Sequence, residues 1–70
     1  DSVGKDKAVQ TALKHAGLTS SQVTQLEAKL DRDGGKLVYE IEFKSGGYEY
    51  EYEIDASNGS IIKSEKDLDN

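Results

Sequence analysis

The chain has 70 residues with 14 acidic and 9 basic side chains, a formal net charge of −5, and no Cys, Met or Trp. That length suits one domain, residues 1–70, with a small core that must be used economically. The composition excludes disulfides and thiolate zinc ligands. It also disfavours nucleic acid and anionic membrane surfaces, which are bound through Lys and Arg. No apolar run approaches the roughly 18 residues of a membrane span, and no signal-peptide pattern is present. A start at Asp1 without an initiator Met suggests a processed or trimmed product whose targeting segment would have been lost.

From Lys5 to Ala16 the apolar residues Ala8, Val9, Ala12, Leu13 and Ala16 recur at three- and four-residue spacing, which predicts one amphipathic helix. Val3 and Gly4 fit the positions before and at its N-cap, Asp6 suits its first turn, Lys14 and His15 its last, and Gly17 should end it. Leu18 to Val23 follows, with Thr19 and Gln22 at capping-box spacing and Leu18 and Val23 placed as a hydrophobic staple, so a single helical turn should lead into a sheet.

The apolar period then changes to two. Leu26, Ala28 and Leu30 alternate with Gln25, Glu27, Lys29 and Asp31. Tyr39, Ile41 and Phe43 alternate with Glu40, Glu42 and Lys44, and Tyr48, Tyr50, Tyr52 and Ile54 alternate with Glu49, Glu51 and Glu53. A shorter last strand carries Ile61 and Ile62, closing a sheet over about residues 24–64. Hairpins centred on Gly34-Gly35 and Gly46-Gly47 pair Leu30 with Tyr39, Ala28 with Ile41 and Leu26 with Phe43, then Phe43 with Tyr50, Ile41 with Tyr52 and Tyr39 with Ile54. Both registers put every large hydrophobe on one face, with the alanines of the helix giving a shallow surface against the aromatic rings. The expected fold is α+β, one N-terminal amphipathic helix on one face of a three- to four-stranded antiparallel meander. The turn from Asp55 to Gly59 does not decide between Ile61 and Ile62 as the inward residue.

The helix with Ala8 and the run Ala12-Leu13-Lys14-His15-Ala16-Gly17, the run Val38-Tyr39-Glu40-Ile41-Glu42-Phe43, and Tyr50-Glu51-Tyr52-Glu53-Ile54-Asp55-Ala56 with Gly59 and Ile61 together resemble the PepSY family of peptidase propeptides and bacterial envelope proteins. The resemblance covers nearly the whole chain. It implies an extracytoplasmic location, secreted, at the cell surface or anchored in the envelope, and a binding or peptidase-restraining role. It brings no catalytic residues, and no catalytic domain or zinc motif follows in this chain.

The candidate sites divide by chemistry. His15 is the single histidine, placed at a helix end where a solvent-facing, dipole-compatible role suffices, and no motif sets a Ser on a strained turn, so no catalytic residue is assigned. Asp31, Asp33 and Glu42 have the first, third and twelfth positions of a calcium loop, but Gly35 and Lys36 stand where a ligand and the turn glycine belong, so no metal ligand and no cofactor is assigned. Asp33 with Gly34-Gly35, and Asp55 with Asn58 and Gly59, read as turn chemistry. The tyrosine stripe reads as core, with Tyr48 nearest the turn as its exception. The opposite sheet face is the unusual one. Its registers align Glu27, Glu42 and Glu51 in one row and Lys29, Glu40 and Glu53 in the next, where like charges directly opposite are unfavourable. Such a face serves solubility and edge protection, or it docks a cationic segment or weakly holds a divalent ion. Glu27, Glu40, Glu42, Glu49, Glu51 and Glu53 are the candidate partner-binding residues. The expected partner is a protein, a peptidase or a basic segment, and not nucleic acid. The alternative is a structural spacer or repeat unit in a larger surface lipoprotein. Oligomeric state is left open.

Overall fold

The computed structural model describes residues 4–69. Helix α1 spans Lys5–Ala16, a 3₁₀ turn spans Ser20–Gln22, and four strands follow: β1 (Thr24–Asp33), β2 (Lys36–Ser45), β3 (Tyr48–Asp55) and β4 (Ile61–Leu68). The strands form one antiparallel meander in the order β1-β2-β3-β4. This is the α+β arrangement that the periodicity predicts.

α1 starts at Gly4, whose extended backbone makes it the N-cap, while Val3 lies outside the described residues. It stops at Gly17, whose φ of 77° only glycine adopts without steric cost. The Leu18 N–H then donates to the Leu13 carbonyl (3.0 Å) and the Gly17 N–H to Lys14 (3.1 Å), a Schellman-type end that satisfies the last carbonyls. In the turn that follows, the Thr19 N–H donates to Gln22 Oε1 (2.9 Å), as the capping spacing predicts, and Leu18 and Val23 both pack against the core.

That core is Ala8, Ala12 and Leu13 of α1 against Ile41 and Phe43 of β2 and Tyr50, Tyr52 and Ile54 of β3. Phe43 stacks on Tyr50 (ring centroids 5.1 Å apart) and on Tyr52 (6.0 Å), giving the flat aromatic floor on which the alanines rest. The β2–β3 register is the predicted one throughout.

The structure corrects the sequence reading in three places and decides a fourth that it left open. Leu30 pairs with Tyr39 and Ala28 with Ile41 as expected, but Leu26 does not pair with Phe43, because a bulge between Thr24 and Glu27 places two residues where the ladder has room for one. Gln25 absorbs it with a φ of 54°. Second, the large hydrophobes are not all buried on one face. Leu26 and Leu30 remain 41 % and 54 % exposed because α1 does not cover the β1 edge, while Val38, which alternation places on the opposite face, is 1 % exposed. Third, β4 continues to Leu68 rather than ending near residue 64, its backbone ladder pairing with β3 as far as Tyr48 while Lys66 lies over the Tyr48 and Tyr50 rings. Fourth, Ile61 pairs with Ile54 and packs on the core, and a second register shift beside it leaves Ile62 outside.

Candidate functional site

The face opposite α1 collects every second residue of each strand. Registers set its rows: Lys44, Glu49 and Asp67; then Glu27, Glu42, Glu51 and Glu65; then Lys29, Glu40, Glu53 and Lys63. All six sequence-predicted residues, Glu27, Glu40, Glu42, Glu49, Glu51 and Glu53, therefore share one face. Glu65 completes the second row and was missed because the last strand lacks the alternating hydrophobes that reveal a strand. Its signal was the alternation of charge, Lys63-Ser64-Glu65-Lys66-Asp67, on a segment with no turn residue.

The rows differ in how they are compensated. Lys29 Nζ reaches Glu40 Oε1 at 3.8 Å, Lys63 reaches Glu65 at 3.8 Å, and Lys44 reaches Asp69 at 3.3 Å. The four-glutamate row has no basic member of its own, and of its residues Glu65 alone is met by a lysine, Lys63 of the next row. Carboxylate oxygens of Glu42, Glu49 and Glu51 come within 4.8 Å of one another. Partial burial raises the Glu51 carboxyl above the usual carboxylate range, and the neighbouring Glu42 and Glu65 push it the same way. Nearer the β1 edge, an interaction between their carboxyls couples Glu40 and Asp31. Glu40 is raised by it, then by burial and the Asp31 charge, and Asp31 is lowered by it, helped by the Arg32 N–H (2.8 Å). Three clustered carboxylates attract cations, but a closed calcium shell takes 6–8 oxygen ligands, so what the geometry offers is a field rather than a coordination cage.

The other sequence-singled residues are structural. Asp55 is 5 % exposed; its Oδ1 accepts from the Ser57 N–H (2.8 Å) and hydroxyl (2.6 Å), and its other oxygen lies 3.4 Å from Lys36. These bonds hold its carboxyl below the usual range, Ser57 contributing most. Asn58 Oδ1 accepts from the Ser60 N–H (2.9 Å) and the Gly59 N–H returns to Asp55 (2.7 Å), completing the predicted turn. Asp33 sits at the foot of the Gly34-Gly35 turn, where φ is 61° and 83°. His15 is exposed, yet its Nδ1 lies 3.0 Å from the Tyr52 hydroxyl and its ring meets Tyr52 edge-on, so it also ties the end of α1 to β3. Tyr48, the expected exception in its stripe, is exposed, with Lys66 Nζ 4.3 Å above its ring.

A helix laid across one face of an antiparallel meander, with the other face free and acidic, defines a small α+β module built around one shared core. The chain matches the family model "PepSY: Peptidase propeptide and YPEB domain" over residues 2–65 and belongs to that family. It is 43 % identical over 61 residues to the uncharacterized protein Spy1430 of Streptococcus pyogenes serotype M6, covering 87 % of this chain and 47 % of that protein. It is 42 % identical over 66 residues to the uncharacterized protein YkoJ of Bacillus subtilis strain 168, covering 93 % of this chain and 36 % of that protein. The chain thus spans less than half the length of these curated relatives. No solved structure gives a significant match. No helix among the described residues is long and apolar enough to cross a membrane.

Proposed function

We propose that this domain is a non-catalytic protein-binding module of a bacterial secreted or envelope protein, and that its helix-free face docks a cationic segment of a partner, with a peptidase as one partner of this kind. The observation that supports this reading is the row Glu27, Glu42, Glu51 and Glu65, four like charges side by side with no basic member. Such a row costs stability in the free domain, by a few tenths of a kcal/mol per exposed pair, and a cationic partner reverses that cost on binding. Extracytoplasmic placement accords with family membership.

The test is a titration of the isotopically labelled chain with a lysine-rich peptide and a neutral peptide of equal length, followed by amide shifts at low and physiological salt. Shifts centred on Glu42 and Glu51 for the cationic peptide alone, reduced by salt and by Glu42→Gln, are expected. Equal response to both peptides, or shifts confined to α1, would sink the reading. The alternative of a structural spacer fits a chain that covers less than half of its relatives. A spacer retains no specific partner from an envelope extract at either salt.

A further inference from the structure

β1 is an outer strand, and among the described residues no strand lies beside its free edge. The two-glycine turn makes Asp33–Lys36 a hydrogen-bonded pair, so bonded and non-bonded pairs alternate down the hairpin. Ala28, Leu30 and Arg32 consequently direct their N–H and C=O groups away from β2. The Arg32 N–H confirms that alternation, because it donates to Asp31 Oδ1 (2.8 Å) instead of to a strand, closing the edge at that point. Ala28 and Leu30 stay open. Leu26 and Leu30 flank Ala28 on the helix side and remain 41 % and 54 % exposed.

We propose that this edge pairs with β1 of a second copy, antiparallel about a two-fold axis at Ala28, joining two four-stranded sheets into one. In that register Ala28 faces Ala28, Leu30 of each copy faces Leu26 of the other, and Glu27 of each faces Lys29 of the other. Each of these pairs is apolar with apolar or acid with base, and the two Ala28 residues, both pointing outward, exchange their N–H···O bonds. The patch is self-complementary, as a two-fold interface requires. Neighbouring registers are not. Centring on Lys29 opposes Lys29 to Lys29 and Glu27 to Asp31, while centring on Leu30 gains Leu30 against Leu30 and Lys29 against Asp31 but opposes Glu27 to Asp33 and sets Ala28 against Arg32. The β4 edge offers less: centring on Lys66 opposes Lys66 to itself and Glu65 to Asp67, and centring on Ser64 sets Ile62 against Lys66. The contact is short, so association is weak and concentration-dependent. It shares Glu27 with the acidic-face reading, but Ala28 and Leu30 lie outside that face, so Leu30→Lys tests the edge contact without touching the acidic row.

Sedimentation of the 70-residue chain from micromolar to millimolar concentration should show the apparent mass climbing from 7.7 kDa toward twice that value, with Ala28 and Leu30 amides gaining protection from exchange. Glu27→Lys and Lys29→Glu should each stay monomeric where the native chain associates. Mixed in equal amounts they should associate again, because the first variant carries only lysine at these two positions and the second only glutamate, so each cross-copy pair is once more acid with base. Leu30→Lys, at a position already more than half exposed, should also abolish association while leaving the urea midpoint near native. A native chain that stays monomeric at millimolar concentration, a Glu27→Lys chain that dimerises as before, or a mixture that fails to associate would each overturn the proposal.

Discussion

Glu51 stands where two acidic lines cross, with Glu42 and Glu65 beside it on neighbouring strands and Glu49 and Glu53 two residues away on its own. Its carboxyl is raised by burial first and by Glu42 and Glu65 next. Removing one neighbouring charge should help the fold. Glu42→Gln is expected to raise stability at neutral pH and low salt by about 0.2–0.5 kcal/mol, with added salt shrinking the gain through screening. Urea melts at two salt concentrations measure it, and a loss at low salt would show that the row is not repulsive. Asp55 has the opposite character, since Ser57 and Lys36 favour its charged form and lower its pKa. A lowered acid stabilises the fold above its unfolded pKa and loses that contribution as pH falls through the folded value. Asp55→Asn should therefore be less stable than the native chain at neutral pH, with the gap closing as pH drops below 3.8, as parallel urea melts at neutral and acid pH would record.

At the scale of elements, the same residue type serves two roles that the strand and helix patterns alone do not separate. Leu13 is 2 % exposed in α1 and Leu30 is 54 % exposed in β1. Leu13→Ala should cost on the order of 2–5 kcal/mol through lost burial and a cavity, whereas Leu30→Ala in the monomer should stay within about 0.5 kcal/mol. Chemical denaturation of both variants at low concentration compares them directly. The α1 terminus allows a cleaner test of backbone conformation. A Cβ added at Gly17 meets nothing within 4 Å, so Gly17→Ala carries only the cost of its positive φ, about 1–2 kcal/mol in the same measurement. The helix, its caps and the two hairpins were legible because each depends on neighbours in sequence: spacing of Ala8, Ala12 and Leu13, Gly17 as a stop, paired glycines as turns. The bulge at Gln25 and the length of β4 were not. Whether Leu26 stays in register is decided by what β2 and α1 leave room for, and a strand such as Lys63–Leu68 is recruited by the groups on β3 that pair with it.

For the molecule as a whole, the two kinds of carboxyl set opposite limbs of the pH profile. Glu40 and Glu51 are raised, so the folded state binds their protons more readily than the unfolded chain and gains stability as pH falls from neutral through their folded values. Asp31 and Asp55 are lowered, and their contribution is lost only further down, below 3.8. Stability should therefore peak on the acid side of neutrality and decline at stronger acid, and the rise toward the peak should flatten in high salt, where repulsion across the face is screened. Thermal melts across that pH range at two ionic strengths would record the profile, and a steady decline from neutral downward would contradict it.

The sequence by itself determined the helix, the order of the strands, both hairpin registers as far as the bulge, and the gathering of six glutamates on one face. These follow from periods of 3.6 and 2, from glycine's freedom at positive φ, and from the fact that a turn, once set, dictates the cross-strand pairs that follow it. The tertiary structure alone decided which inward residues are covered. α1 leaves the outer side of β1 open, so Ala28 lies half-buried between exposed Leu26 and Leu30 at that edge. It also decided that Glu65 extends the acidic row, that Val38 is buried on the far face, and that Ile61 rather than Ile62 packs inward. Those outcomes depend on which atoms of distant segments fill the remaining space, and alternation along a single strand carries no record of that.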